Sequence, residues 1–317
     1  MTIEQDRAFR AEQRRQIQAR TQLLASTRDQ VVAFLQEAQA HIARVLASQP
    51  TDYQRWQLTQ VATEIDRILA DAGIQAGAQA ASATTAGWQA GLDFIDRPLE
   101  VGLDAGGVRV RLEAVLPRID VGQLNAMREF MVDRIQDITA AAGRRIRSQL
   151  GLVVIGAQDV SEAITQVENI LGGQARRRAT TIVRTELGRV HAVAAQTRLQ
   201  EAAELVPMEK RWRRSGKIHS RLAHDLADGQ TVPADQPYIV NGYRLMHPHD
   251  PKAPAAETIN CGCLSIPRVT DWPSTLPTKR PFTDQEIALD ANKRAIADAL
   301  TGRNVQQLLT AALEKSP

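Results

Sequence analysis

Neither glycine nor proline occurs before Pro50, and this uninterrupted stretch limits what the N-terminal part of the chain can fold into. Apolar residues recur there every seven positions, and further apolar residues widen the stripe in its second half. The residues at heptad spacing are Ile17, Leu24, Val31, Ala38 and Val45. An apolar stripe on an otherwise polar segment is typical of a long helix that packs on a neighbour. We expect a core-facing helix here, with an exposed coiled-coil arm as the alternative.

Composition extends this expectation to most of the chain. Aromatic residues make up 4% of the 317 residues, whereas hydrophobic residues make up 43%. Such a composition favours long helices joined by thin apolar seams over a thick aromatic core. The predicted fold class is mainly α, with long N-terminal helices and a small, loop-rich α+β module towards the C-terminus.

Breaks in the helical pattern divide the chain into five predicted regions. Glycine and proline cluster over 91–122, where Val108, Val110 and Leu112 alternate with charged residues as in a short extended segment. The pair Gly172-Gly173 is expected to stop a later helix. The regions are a long-helix region over 1–90 that suits docking to a portal or capsid, a linker or hinge over 91–122, a helical region over 123–206, a loop-rich His/Cys module over 207–282 and a helical tail over 283–317.

Charge and cysteine content exclude some classes of protein. The formal net charge of +3 is too small to indicate nucleic-acid binding by itself. No stretch approaches the ~20 apolar residues of a membrane span, so no membrane segment is expected. A disulfide between Cys261 and Cys263 would close a very small ring and stabilise little. Thiols that are free or bound to metal, in a reducing compartment, are the expectation.

The loop-rich module holds both cysteines and four of the six histidines. Cys261 and Cys263 offer two soft thiolate ligands, and His224 and His247 are candidates to complete a zinc site. Structural zinc sites more often use two cysteines separated by two residues. The alternative is that the cysteines are small buried apolar residues and that the histidines form hydrogen bonds across turns.

His224, Asn241 and His249 also allow a second interpretation. Their spacing is close to that of the general base, asparagine and metal ligand of HNH endonucleases, in which a cation stabilises the charged phosphorane. Ala223 stands where those enzymes have an acidic residue or a histidine. This pattern yields the alternative function, a metal-dependent nuclease or toxin-like effector.

A cluster of cations at the start of the module surrounds Trp212 and is a candidate DNA-binding patch. Such a patch would bind phosphates without sequence preference and in a salt-dependent way. A solvated face or a contact with an acidic protein is the alternative. The residues are Lys210, Arg211, Arg213, Arg214 and Lys217.

Arg184 and Glu186 lie two residues apart on a predicted helix, so they cannot pair with each other across one turn. We expect each to find a partner elsewhere, in an ion pair that ties this helix to the loop-rich module. The sequence contains no phosphate-binding loop, no serine nucleophile motif and no dinucleotide fingerprint, so a conventional enzyme is not expected.

Two groups of residues resemble the minor head, or head morphogenesis, proteins of the phage Mu F-like family. One group is the helical run over 178–186, and the resemblance covers roughly 151–267 in all. The other is Trp212, Arg221, His224, Gly229, Asp250, Pro251, Glu257, Asn260, Cys261 and Cys263. The family commonly has arginine between the two cysteines, where this chain has Gly262.

The resemblance implies a structural component of a tailed-phage head, present in several copies at or near the portal inside the capsid. Its partners would be the portal protein, the major capsid protein or both, with packaged double-stranded DNA as a further contact. It would reside in the host cytoplasm during assembly and would assist head assembly, DNA packaging or ejection without being an enzyme. Structural roles are expected for Arg184, Glu186, Trp212, Arg221, Asp250 and Asn260.

Overall fold

A computed structural model describes residues 2–47, 55–112, 120–270, 272 and 279–301. The chain forms two compact units, a helical unit over 2–198 and a C-terminal unit over 199–317. Long helices make up the first unit, and the second contains small sheets, which confirms the predicted fold class. None of the described helices has an apolar stretch long enough to cross a bilayer.

The helical unit is built from long helices that pack on one another. Its first helix packs along the second, the second packs along the third, and the shorter segments contact the first and the third. The elements are α1 (Ile3–Ala47), α2 (Arg55–Asp104), α3 (Val121–Val154), α4 (Val160–Glu168), a π-helical stretch (Asn169–Ala175) and α5 (Arg176–Ala203).

The core of this unit follows the spacing seen in the sequence. Buried residues of α1 are three or four positions apart, and they meet a buried face of α2 around Ile65. Ala76 and Ala80 are fully buried, because side chains this small let neighbouring helices approach closely. The buried α1 residues of this core are Val31, Leu35, Ala38, Ile42 and Leu46. The prediction of a core-facing helix is confirmed.

The predicted hinge is wrong over its first part, because α2 continues to Asp104 and contains Pro98. A proline inside a helix costs about 3 kcal/mol. Phe94, Ile95 and Leu99 are each at most 3% exposed, and burying these side chains offsets that cost. Residues 108–111 form no strand, and residues 113–119 of the predicted linker lie outside the described residues.

The end of the helical unit departs from the prediction at Gly172-Gly173. These glycines do not stop a helix but lie in the π-helical stretch that leads directly into α5. A Cβ at Gly172 would lie 2.9 Å from Oε1 of Gln39, so the glycine allows α1 to approach. The start of α4 agrees with the sequence, because Asp159 and Glu162 form a capping box.

Two helical glycines provide a matched test of this close packing. A Cβ at Gly91 would lie 2.6 Å from the carbonyl oxygen of His191 and 2.7 Å from Cβ of Ala194. At Gly151 nothing lies within 4 Å of the added Cβ. Gly91→Ala should lower the free energy of unfolding by about 1–3 kcal/mol, whereas Gly151→Ala should raise it by up to about 1 kcal/mol. Denaturant unfolding checks both values, and equal effects of the two substitutions would contradict this packing.

The C-terminal unit contains a three-stranded antiparallel sheet in the order β2-β1-β5 and a separate hairpin of β3 and β4. Short helices connect or follow the strands, as expected for a loop-rich α+β module. The strands are β1 (Met208–Arg213), β2 (Thr231–Pro233), β3 (Tyr238–Val240), β4 (Tyr243–Leu245) and β5 (Leu264–Val269). The helices are α6 (Leu222–Leu226), α7 (Ala255–Thr258), α8 (Asp284–Leu289) and α9 (Ala291–Thr301).

The predicted tail belongs to the same unit as the module. Glu286 of α8 and Lys293 of α9 are each 1% exposed, and both contribute to an ionic cluster with Arg214, which follows β1. Residues 302–317 of the predicted tail lie outside the described residues. The boundary expected at 282/283 therefore does not separate two units.

Candidate functional site: a buried His/Cys cluster

Four short elements bring together polar residues that are far apart in the sequence. His224 lies on α6, Glu257 lies on α7, and Cys261 and Cys263 lie in the segment that enters β5. Asn241 occupies the turn between β3 and β4. We call the set His224, Glu257, Cys261 and Cys263 the His/Cys cluster.

The cluster is a continuous chain of polar contacts. Nδ1 of His224 lies 3.6 Å from Sγ of Cys261 and 3.5 Å from Sγ of Cys263. Nε2 of the same ring lies 2.9 Å from Oε2 of Glu257. The other oxygen of Glu257 accepts a hydrogen bond of 2.7 Å from Nδ2 of Asn241. One imidazole is therefore held between a carboxylate and two sulfurs.

Aromatic rings enclose this chain of contacts. The indole of Trp212 packs edge-on against His224 at 5.5 Å and against Tyr238 at 5.2 Å between ring centroids. Nε1 of Trp212 donates to the carbonyl oxygen of His224. His224 is 2% exposed, and Cys261 and Cys263 are 5% and 3% exposed. The cluster is thus a closed core rather than an open cleft.

Burial and neighbouring groups shift the protonation of the cluster. The hydrogen bond with Cys263 lowers the pKa of the Cys261 thiol well below its usual value, and His224 adds to this effect against the opposing effect of burial. The Cys261 thiolate and burial raise the pKa of Cys263. Burial disfavours the charged form of His224, but Cys261 and Glu257 outweigh it and raise its pKa. The environment therefore favours the thiolate form of Cys261 and the thiol form of Cys263.

Asn241, one residue of the nuclease interpretation, lies in a tight turn. Asn241 and Gly242 have φ values of 51° and 77° and form the two-residue loop of a tight hairpin. Asparagine tolerates this left-handed conformation, so the turn explains its presence. His224 and Asn241 each contact Glu257, which lies between them. His249, with φ of 68°, is 1% exposed.

His247 does not join the predicted zinc ligands. Only His224, Cys261 and Cys263 form a group with potential ligand atoms within 4.8 Å of one another among the described residues. Nδ1 of His247 instead lies 2.9 Å from the carbonyl oxygen of Pro248. Three of the four candidate ligands are therefore brought together, and the assignment of His247 is wrong.

The predicted basic patch is wrong for three of its five residues. Lys210, Arg211 and Arg214 are at most 6% exposed, and each makes internal hydrogen bonds. Their long side chains lie in the interior of the unit, so they are not accessible to phosphates in solution. Arg213 is partly exposed and Lys217 is exposed, and these two cations alone do not make a patch.

Residues that carry the family resemblance hold loops together around the cluster. Asp250 accepts hydrogen bonds from the backbone N–H groups of Met246 and Lys252. Arg221 donates to the carbonyl oxygen of Ile259. Asn260 adopts a left-handed conformation with φ of 56°. Asp250 and Arg221 therefore make contacts inside the unit, as does buried Trp212, and the structural roles predicted for these residues stay predictions.

A side chain at Gly262, between the two cysteines, would be crowded by its neighbours. A Cβ at this position would lie 2.9 Å from Cβ of Ser215 and 3.1 Å from Cε of Lys217. The ammonium group of Lys217 donates to the carbonyl oxygen of Asn260, beside the cysteines. The ammonium group of Lys217 therefore lies next to the loop that carries the cysteines.

Arg184 and Glu186 belong to the helical unit. Glu186 is buried and pairs with Arg189 on its own helix and with Arg134 on α3. Burial raises the pKa of Glu186 despite these two arginines. Arg184 is exposed. The expected ion pair from Glu186 to the loop-rich module is wrong, because both of its partners lie on helices of its own unit.

Lys210 provides a test of the buried interior through pH. Its ammonium group donates to the carbonyl oxygen of Met246 at 2.7 Å, and burial lowers its pKa to about 8 against the attraction of Asp235 and Asp250. The unfolded chain therefore binds more protons between pH 8 and 10.5, so the free energy of unfolding should rise with pH in that window. The rise should be on the order of 3 kcal/mol. Lys210→Met should abolish it, and an unchanged slope in this variant would contradict the shift.

Comparisons with known proteins give one partial match. No protein-family model and no solved structure matches the chain. A segment is 33% identical over 96 residues to a protein of Enterococcus faecalis named NAD(+)-arginine ADP-ribosyltransferase EFV. The match covers 28% of this chain and 18% of that protein. The chain thus corresponds to less than a fifth of this relative, and the match leaves the family open.

Proposed function

We propose that this protein is a minor head protein of a tailed phage, of the Mu F-like kind. It resides at or near the portal on the inside of the capsid, in several copies, and assists head assembly and DNA packaging or ejection. The host cytoplasm is its location during assembly. Its partners are the portal protein, the major capsid protein or both, with packaged DNA as a further contact.

One observation supports this proposal: four side chains of the resemblance are buried inside the C-terminal unit. Trp212, His224, Asp250 and Glu257 are each at most 6% exposed, and all have internal partners. Side chains that act on a large substrate need access to it, and these have none. A role in shaping a module that contacts other proteins fits such residues better than catalysis.

The helical unit supplies surface for docking. Ile74, Val121 and Phe130 are apolar side chains of α2 and α3 with exposed fractions of 61%, 62% and 46%. Single exposed apolar residues are ordinary on a protein surface, so the assignment of these three to docking belongs to the proposal. In this proposal the long helices carry the contact with the portal or capsid wall, and the C-terminal unit forms a compact partner module.

Binding to the portal protein tests the proposal. The full chain, mixed with the portal and major capsid proteins of the same genome, should elute with at least one of them in size-exclusion chromatography. Ile74→Asp should weaken that complex, whereas Gly151→Ala should leave it intact because nothing lies near that position. Failure to bind either protein would refute the docking role.

The nuclease alternative has its own test. Supercoiled plasmid incubated with the protein and Mg²⁺ or Mn²⁺ should stay uncut, because the histidines are enclosed. Nicking that is lost in both His224→Ala and His249→Ala would support the alternative and remove the structural proposal.

The partial match brings a second candidate function, transfer of ADP-ribose from NAD⁺ to arginine, which the relative's name states for that protein. Incubation of this chain with labelled NAD⁺ and arginine-containing proteins distinguishes the two functions. The structural proposal predicts no labelled product. Labelling by the wild type would place the chain among enzymes instead.

A further inference from the structure

We propose that His224, Cys261 and Cys263 bind a structural Zn²⁺ ion in the core of the C-terminal unit. The ligand atoms are Nδ1 of the histidine and the two Sγ atoms, which lie within 4.8 Å of one another. This inference concerns the unit's architecture and is independent of the proposed place in a phage head.

The distances between these atoms fit a tetrahedral ion. Zinc binds sulfur at about 2.3 Å and histidine nitrogen at about 2.0–2.1 Å, so two such ligands at a tetrahedral angle are about 3.6 Å apart. Nδ1 of His224 lies 3.6 Å from Sγ of Cys261 and 3.5 Å from Sγ of Cys263. Both nitrogen–sulfur edges therefore have the length that a shared zinc ion gives.

A second observation comes from the far side of the imidazole. A histidine that binds a metal usually donates its other N–H group to a carboxylate or carbonyl, which fixes the tautomer and the ring orientation. Nε2 of His224 has such a partner in Glu257 at 2.9 Å. Asn241 in turn holds Glu257 at 2.7 Å. The carboxylate of Glu257, which Asn241 holds in place, thus orients the imidazole so that Nδ1 faces the two sulfurs.

The thiolate and imidazole ligands favour zinc, and their burial favours a structural role for it. Two thiolates and an imidazole favour zinc over hard cations such as Mg²⁺ and Ca²⁺. Three protein ligands leave one position of a tetrahedral ion, which a water molecule or another side chain completes in zinc sites. All three ligands are at most 5% exposed, and β2, β3 and β4 have only three residues each. Metal binding stabilises the fold of so small a sheet system.

Metal analysis of the purified full chain tests the site. Protein from zinc-supplemented cells is desalted, and bound zinc is measured by plasma mass spectrometry for the wild type, His224→Gln, Cys261→Ser and Cys263→Ser. The wild type should carry one zinc per chain, and the three variants should lose most of it. His247→Gln is the matched control, a buried histidine of the same unit outside the ligand set, and should keep its zinc.

Two further measurements cover variants that fail to fold. Replacement of zinc by Co²⁺ in the wild type should give the near-ultraviolet charge-transfer absorption of thiolate ligands. Glu257→Gln should weaken zinc affinity by about 10–100-fold while keeping all three ligands. A wild type that binds neither zinc nor Co²⁺ after refolding with either ion, or zinc retained in Cys261→Ser and Cys263→Ser, would overturn the proposal.

Discussion

Glu286→Ala is expected to lower the free energy of unfolding of the C-terminal unit by about 3–5 kcal/mol, because it removes the anion from a buried ionic cluster. Glu286 accepts hydrogen bonds from Arg214 at 2.5 Å and from Lys293 at 2.7 Å. Both cations are at most 2% exposed. Asp225 lies 3.8 Å from both Arg214 and Lys293. After the substitution it is the carboxylate that remains within ion-pair distance of these two cations in the described part of the unit.

Hydrogen exchange followed by mass spectrometry measures this loss for peptides within 208–269, separately from the helical unit. Gln285→Ala is the matched control, because Gln285 is exposed on the same helix α8 and its replacement should change stability by less than about 0.5 kcal/mol. A loss from Glu286→Ala no larger than that of the control would show that the cluster does not hold the unit together.

The same carboxylate should make the unit sensitive to acid. Burial raises the pKa of Glu286, but the hydrogen bonds from Arg214 and Lys293 outweigh it and lower the pKa to about 2 from a usual 4.5. Since the folded pKa lies below the unfolded one, the stabilisation is complete above about pH 4.5 and is lost as the pH falls towards 2. Glu286→Ala should therefore flatten the acid denaturation profile in this window.

Asp96→Ala should destabilise the helical unit by about 3–5 kcal/mol. Arg198 of α5 donates to Asp96 of α2 from Nε and Nη2 at 2.8 Å, and both residues are at most 4% exposed. The pair joins two helices across 102 positions of sequence. The substitution removes the carboxylate that pairs with the Arg198 guanidinium, and this guanidinium is buried away from bulk water.

Two controls separate the ion pair from simple loss of volume. Asp93→Ala removes a more exposed carboxylate of the same helix, 3.7 Å from Arg97, and should cost less than about 1 kcal/mol. Burial raises the pKa of Asp96 even with Arg198 beside it, so desolvating the pair is expensive. Asp96→Leu combined with Arg198→Met should therefore recover most of the loss. Thermal or denaturant unfolding measures the stability of each variant. A double variant less stable than Asp96→Ala would contradict this interpretation.

The helices were predictable from sequence where one residue type repeats at a helical period. The seam of α1 followed the expected spacing, because it depends on local periodicity. Pro98 and Gly172-Gly173 were misleading, since packing of Phe94 and Leu99 and the approach of Gln39 keep those segments helical. Local propensity is a weak signal wherever such burial is large.

At the candidate site, the sequence identified His224, Cys261 and Cys263 but not the groups that position them. Asn241-Gly242 between two apolar stretches was a hairpin signal that outweighs the nuclease spacing. Glu257 was present in the resemblance, yet its contact with His224 depends on how α6 and α7 are placed. Burial of Arg214 was not predictable either, because its partner Glu286 lies in the predicted tail.

Quantitative mass spectrometry of purified phage particles tests the central claim, that this chain is a structural part of the head. Particles are treated with nuclease and high salt so that loosely attached proteins are removed. The claim predicts several copies per particle, retained together with the portal and major capsid proteins. Mature particles that contain both of those proteins but lack this chain would contradict it.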